Sequence, residues 1–93
     1  MSWDNQKTED LLGAVILLRT KAEAKKFLRD LLTEEELMEF GKRWEVAKLL
    51  HKKMSYIKIV EKTGLSSTTV ARVSRWLHRG MGGYKLILER LKS

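Results

Sequence analysis

The chain has 93 residues, a formal net charge of +7 and no cysteine. This length fits one domain, residues 1–93, with a modest core, and the lack of cysteine excludes disulfides, thiolate zinc sites and cysteine nucleophiles. No apolar run is long enough to cross a membrane and the N-terminus lacks a secretion signal, so we expect a soluble cytoplasmic protein.

Positive charge is concentrated in the C-terminal half of the chain. Residues 1–50 contain nine Lys and Arg against ten Asp and Glu, whereas residues 51–93 contain ten against two. A basic surface attracts polyanions and makes their binding salt-dependent. Because basic faces are often only solvated, the charge supports nucleic-acid binding only through its coincidence with the motif described below.

The first predicted helix is apolar on nearly every side. It follows a polar, flexible leader of residues 1–8 and extends from Glu9 to about Arg19. A helix of this kind is expected to lie between other helices or between subunits rather than against solvent. The predicted dimerisation residues on it are Leu11, Leu12, Val15 and Leu18.

Two capping boxes open the next two helices of this scaffold, residues 9–50. Thr20 and Glu23 form the first box, and Thr33 and Glu36 form the second, which starts a helix that extends to about Leu50. The acidic run at positions 34–36 suits the positive end of that helix better than a metal ion. The predicted buried stripes are Ala22, Ala24, Phe27, Leu28, Leu31 and Leu32, and then Leu37, Phe40, Trp44, Ala47 and Leu50.

Residues 54–78 are typical of a helix-turn-helix. Ser55 is placed to cap a short helix with apolar residues at positions 57, 59 and 60, and Gly64 supplies the left-handed backbone that ends it. Leu65 fills the turn and Ser66 caps a second helix. That helix has a buried face made of Val70, Val73 and Leu77.

The opposite face of the second motif helix is polar and cationic. Short hydroxyl side chains followed by two guanidinium groups suit base edges and phosphates in a major groove. A simple pair of packed helices remains an alternative, although it would leave the turn, the caps and the cationic face to coincide by chance. The predicted DNA-binding residues are Ser55, Tyr56, Lys58, Ser66, Ser67, Thr68, Thr69, Arg72 and Arg75.

The segment after the motif carries no sign of catalysis. The GMGGY stretch follows no strand and lacks the Lys and Ser/Thr of a P-loop, so it predicts a turn before a last helix, Tyr84 to about Leu91. His51 and His78 have no partners at metal-ligand spacing, and no nucleophile is paired with a base. We expect no enzyme activity, no metal and no cofactor.

Residues Leu28 to Leu77 resemble the tryptophan repressor family. The resemblance rests on LLTEEELMEFGKRWEVAKLL followed by MSYIKIVEKTGLSSTTVARVSRWL, and RWEVAKLL with RVSRWLHRGMGGY is similar to the YerC/YecD-like branch. It implies an all-α, six-helix fold that forms an intertwined homodimer through its N-terminal helices. It also implies a repressor that binds a palindromic operator in double-stranded DNA with two helix-turn-helix heads.

The same resemblance implies a pocket for a tryptophan corepressor. The family's Leu, Thr and two Arg that hold the ligand fall on Leu32, Thr33, Arg43 and Arg72. Where the family has a glycine against the indole and a serine near the amino group, this chain has Val73 and Trp76, which can occupy the space themselves. This pattern favours DNA binding without tryptophan.

The sequence therefore predicts a DNA-binding transcription regulator, a repressor associated with the bacterial nucleoid. One alternative is a repressor gated by tryptophan or another small molecule. A second alternative is a helix-turn-helix module used for protein–protein contacts. An RNA-binding module is disfavoured because Tyr56 and Tyr84 are the only isolated aromatic residues expected outside the core.

Overall fold

The computed structural model describes residues 2–92, which form six α-helices and no β-strand. The all-α, six-helix prediction is confirmed. None of these six helices is long and apolar enough to cross a membrane. The helices are α1 (Gln6–Val15), α2 (Lys21–Leu31), α3 (Glu34–His51), α4 (Tyr56–Thr63), α5 (Ser67–Arg79) and α6 (Gly83–Lys92).

The chain divides into two compact units, residues 2–37 and 38–92. In the first unit, α1 begins inside the expected polar leader because the Asn5 side chain accepts a hydrogen bond from the Thr8 amide, at 3.1 Å. It ends at Val15, so the predicted extension to Arg19 was wrong. The reason lies in the next helix: its cap, Thr20, has extended backbone, so the chain must leave the helical conformation before that residue.

The capping box of α3 is confirmed, and that of α2 is confirmed for the Thr20 hydroxyl but not for the Glu23 carboxylate. The Thr20 hydroxyl accepts from the Glu23 amide at 3.1 Å, while the Glu23 carboxylate accepts from the amide of Arg19 at 2.9 Å. The box of α3 is fully reciprocal, with Thr33 and Glu36 each accepting from the other's amide, at 3.1 and 2.9 Å. These bonds satisfy amides that a helix start leaves without partners.

The second unit has a small core built from α3, α4 and α5. The predicted stripe of α3 is only partly correct, because Phe40 is 46% exposed while Val46 and Leu49 are buried. Both faces of α3 carry apolar residues, and the face that packs with α4 and α5 is the one buried. The core consists of Val46, Ala47, Leu49, Ile59, Val70 and Val73.

A left-handed residue joins α3 to α4. Lys53 has φ of 68°, and its amide donates to the Leu50 carbonyl at 2.9 Å, while the Met54 amide donates to Leu49 at 3.1 Å. These two bonds form a Schellman motif, which usually has glycine at the left-handed position. Met54 then packs against the core and brings the chain to the cap of α4.

Candidate nucleic-acid interface

N-terminal caps on both helices and a glycine at the end of the first define the helix-turn-helix. Ser55 accepts from the Lys58 amide at 3.3 Å, and Ser66 accepts from the Thr69 amide at 3.2 Å. Between them, Gly64 ends α4 with φ of 74°, where a side chain is strongly disfavoured. The predicted caps and the predicted stop are all confirmed.

A buried threonine, which the sequence analysis did not single out, fixes the turn. The Thr63 hydroxyl donates to the Ile59 carbonyl at 2.8 Å and accepts from the Leu65 amide at 3.3 Å. One side chain therefore links a carbonyl in the middle of α4 to an amide in the turn. The only signal in the sequence was a threonine directly before the glycine.

The buried face of α5 agrees with the prediction. Val70 and Val73 are fully buried, Leu77 is 4% exposed, and Leu65 packs against the same core. On α4, Ile57 is 74% exposed, and Ile59 is the fully buried apolar residue of that helix. This eight-residue helix packs only one face against the core, and Ile57 lies outside that face.

The outer face of α5 carries the predicted hydroxyl and guanidinium groups. Ser67, Thr68, Arg72 and Arg75 are exposed, and Thr69 is half-buried with its hydroxyl 3.0 Å from that of Ser66. No Asp or Glu occurs between positions 62 and 88. The positive charge of this face is therefore not neutralised by neighbours along the chain. On α4 and its cap, Ser55, Tyr56 and Lys58 are also exposed.

The residues of the expected corepressor pocket lie in two different units. Leu32 and Thr33 are in the first unit, where the Thr33 hydroxyl caps α3. Arg43, Arg72, Val73 and Trp76 are in the second.

Within the second unit, the guanidinium carbon of Arg43 is 5.6 Å from the ring centroids of both Phe40 and Trp76. Its Nε is 3.4 Å from a carboxylate oxygen of Glu39. Arg43 is thus engaged by side chains of its own unit.

An open apolar cavity of about 680 Å³ lies beside Trp76. Trp76 is 38% exposed on its wall, whereas Trp44 is half-buried and stacks on Tyr84 with ring centroids 6.2 Å apart. Burial raises the pKa of the Tyr84 phenol, and the nearby charge of Arg43 partly offsets that rise. The lining is Trp44, Trp76, Gly80, Met81, Gly83, Tyr84 and Ile87.

A close backbone approach at the end of α5 shapes one wall of this cavity. The Gly80 amide donates to the Trp76 carbonyl at 2.9 Å, and a Cβ on residue 80 would collide with that carbonyl oxygen. The predicted turn at GMGGY is thus a tight exit from α5, and α6 begins at Gly83.

The predicted dimerisation residues leave much apolar surface in contact with solvent in the single chain. Leu11, Leu12 and Val15 are 36%, 46% and 39% exposed, and Leu18 is half-buried. Neither α1 nor α2 contains a buried residue.

Comparison with known proteins identifies the family. The model of the Trp repressor protein family matches residues 6–92. The chain is 33% identical to the uncharacterised protein YerC of Bacillus subtilis (strain 168) over 87 residues, which covers 94% of this chain and 84% of that protein.

Two crystal structures are similar in fold and sequence. A TrpR-like protein from Eubacterium eligens ATCC 27750 superposes with a TM-score of 0.90 at 39% identity, over 96% of this chain and 92% of that one. A candidate Trp repressor from Staphylococcus aureus gives 0.88 at 31% identity, over 95% and 88%. The chain therefore belongs to the Trp repressor family, whose members are DNA-binding helix-turn-helix regulators and not enzymes.

Proposed function

We propose that this protein is a sequence-specific transcriptional repressor that binds a palindromic operator as a homodimer through two helix-turn-helix heads. The observation that carries the proposal is the outer face of α5, where Arg72 and Arg75 are exposed and no carboxylate occurs between residues 62 and 88. The recognition helix of such a motif enters the major groove with its N-terminal residues against base edges. The protein would then be located in the cytoplasm, in association with the nucleoid.

Roles follow from position on the motif. Ser67, Thr68 and Thr69 lie in the first turn of α5 and suit base edges, while the start of α4 suits phosphate because its amides and positive end favour anions. Ser55 and Ser66 accept from helix amides, yet each hydroxyl can still donate its own hydrogen to DNA. The proposed contact residues are Ser55, Tyr56, Lys58, Ser66, Ser67, Thr68, Thr69, Arg72 and Arg75.

A homodimer is supported by the apolar surface of α1. Solvent-exposed leucine and valine side chains on a helix without a buried residue indicate a surface that another chain covers. Two copies related by a two-fold axis would present two α5 helices, which a palindrome with half-sites about 34 Å apart can receive. Leu11, Leu12, Val15 and Leu18 are the proposed dimer contacts.

We further propose that DNA binding does not require tryptophan. Val73 is fully buried in the core of the motif, which supports the proposal that its side chain occupies the space that the family's glycine leaves open. Arg43, one of the family's ligand-holding positions, lies against the Trp76 ring of this chain. A corepressor that binds one conformation of α5 more tightly than another is then not needed to hold α5 in place.

One observation favours a second candidate, a repressor gated by a small molecule. The apolar cavity of about 680 Å³ beside Trp76 is large enough for a ligand and is lined by aromatic rings. An effector bound there would contact Trp76 on α5 and could shift the position of the reading helix.

Selection of bound duplexes from a random pool tests the proposal. A palindromic consensus should emerge, and the purified protein should retard that duplex in gel shifts while a scrambled duplex of equal composition competes poorly. The same assay is repeated with and without L-tryptophan, which should leave the affinity unchanged. Enrichment of no sequence, together with no shift of any duplex at low salt, would overturn the proposal and favour a module for protein–protein contacts.

A further inference from the structure

A second cavity, of about 400 Å³, lies between the start of α4 and the C-terminal half of α5. Its lining differs from that of the apolar cavity because most of it can donate hydrogen bonds or carry positive charge. The floor includes Ser74, which is 7% exposed, and the rim is exposed to solvent. The cavity, hereafter the basic cleft, is lined by Tyr56, Ala71, Ser74, Arg75, His78 and Arg79.

The basic residues of this cleft follow the helical repeat of α5. Arg75, His78 and Arg79 are spaced three and four residues apart, so their side chains emerge on one side of the helix, facing the phenol of Tyr56 from α4. In residues 2–92 the ion pairs are Arg29–Glu34, Arg43–Glu39 and Lys92–Glu89, and none involves the cleft. The cleft thus offers unneutralised guanidinium groups to an anion.

The length of α5 indicates which anion reaches the cleft. Thirteen residues span roughly 20 Å, whereas the major groove is only about 12 Å wide. If the first turn of α5 lies against base edges, the last two turns extend beyond the groove to the sugar–phosphate backbone. Arg79 lies two turns after Arg72 on the same exposed face, roughly 10 Å further along the axis.

We infer that the basic cleft binds a backbone phosphate of the operator, an inference that rests on the proposed DNA-binding function. Arg75 and Arg79 donate to the phosphate oxygens from α5, and the Tyr56 hydroxyl donates from α4. His78 closes the cleft between them. A phosphate held by both helices fixes the register of the whole motif on the duplex, whereas Arg72, outside the cleft, is left to read a base.

The salt dependence of DNA binding tests this assignment. Each phosphate that a Lys or Arg side chain neutralises contributes about 0.9 to the magnitude of the slope of log K against log salt. Because the dimer has two heads, Arg79→Ala removes two charged contacts. It should reduce the magnitude of the slope by up to about twice that amount, weaken operator and scrambled duplex by the same factor, and leave the selected consensus unchanged. Tyr56→Phe should weaken both duplexes equally without changing the slope. Arg90→Ala removes an exposed charge on α6 outside the cleft and serves as the matched control, with an unchanged slope.

The outcomes separate this inference from the proposed function. If the wild type selects an operator but Arg79→Ala keeps its slope, the cleft does not hold a phosphate and the function stands. If Arg79→Ala weakens the operator alone and relaxes one base position, Arg79 reads a base and the assignment is overturned. If the wild type binds no duplex at all, the proposed function fails and the cleft assignment fails with it. A thermal unfolding curve for each variant identifies any loss that comes from misfolding.

Discussion

The guanidinium carbon of Arg43 lies 5.6 Å from the centroid of the Trp76 ring, which joins α3 to α5 within the second unit. This is cation–π distance, and the ring of Phe40 lies equally far from the same guanidinium. The arginine that we propose to correspond to a ligand-holding position of the family is thus in contact with an aromatic side chain of the protein itself. We regard the pair as an internal substitute for the corepressor.

The first prediction is that free tryptophan does not bind to this protein and does not change its affinity for the operator. With Arg43 against Trp76 and Val73 buried, side chains of the protein occupy positions that the resemblance assigns to the corepressor site, so we expect no site there for the free amino acid. Titration calorimetry with L-tryptophan should show no binding heat, and the operator affinity should be equal with and without it. Micromolar binding coupled to tighter DNA binding would contradict the prediction.

The second prediction concerns the double variant Val73→Gly with Trp76→Ser. It should lower the free energy of unfolding by about 3 kcal/mol, because it removes a fully buried side chain and places glycine inside a helix. Operator binding should weaken as α5 loses its support, and an indole compound should restore part of it. Trp76→Ser alone is the control for the exposed ring. Full operator affinity in the double variant would show that neither side chain supports α5.

A third prediction assigns different roles to Arg72 and Arg75 on the outer face of α5. Arg72→Ala should cost ~1–3 kcal/mol of operator affinity and relax specificity at one base position, since Arg72 is exposed outside the basic cleft. Arg75→Ala should weaken operator and scrambled duplexes alike. Both variants should keep the wild-type unfolding midpoint because both side chains are exposed. Unchanged operator affinity in both variants would show that the outer face of α5 does not contact the operator.

The fourth prediction is an obligate dimer. If the exposed apolar residues of α1 are covered by a second chain, the unfolding midpoint should rise with protein concentration. Leu12→Lys should abolish folding and DNA binding together, whereas Lys7→Glu, a change of charge at another exposed position of the same helix, should not. A folded wild-type monomer at micromolar concentration in sedimentation experiments would show that α1 needs no partner.

The fifth prediction compares two glycines. Gly64→Ala should destabilise the protein by ~1–2 kcal/mol, because φ of 74° strains any side chain. Gly41→Ala should stabilise it by ~0.5–1 kcal/mol, because Gly41 lies inside α3 and a Cβ there meets nothing within 4 Å. Denaturant unfolding of both variants measures the two effects. A Gly64→Ala variant as stable as the wild type would mean that the turn does not depend on its left-handed residue.

The features that sequence predicted well depend on local chemistry. The caps at Thr20, Thr33, Ser55 and Ser66 form within four residues, and Gly64 ends α4 for a purely steric reason. Each can be read from a short window because no distant contact is needed to form it.

Features that depend on tertiary packing were missed or misplaced. Which apolar face of α3 is buried depends on α4 and α5, so Val46 and Leu49 replaced Phe40 in the core. Lys53 adopts the left-handed conformation without the usual glycine. The exposed arginines of α5 followed from its periodicity, but the basic cleft required the crossing of two helices, which no sequence spacing shows.

The close approach of Gly80 to the Trp76 carbonyl restricts which positions can change when this protein acquires a new DNA specificity during evolution. Any side chain at that position must displace the Trp76 carbonyl or redirect the chain toward α6, whose Tyr84 stacks on Trp44. Substitutions at position 80 would thus disturb the core, and we expect them to add no contact with DNA. New operator preferences should arise instead by substitution at the exposed positions of α5, where changes cost little stability. Among paralogues, we expect those positions to diverge and this glycine to persist.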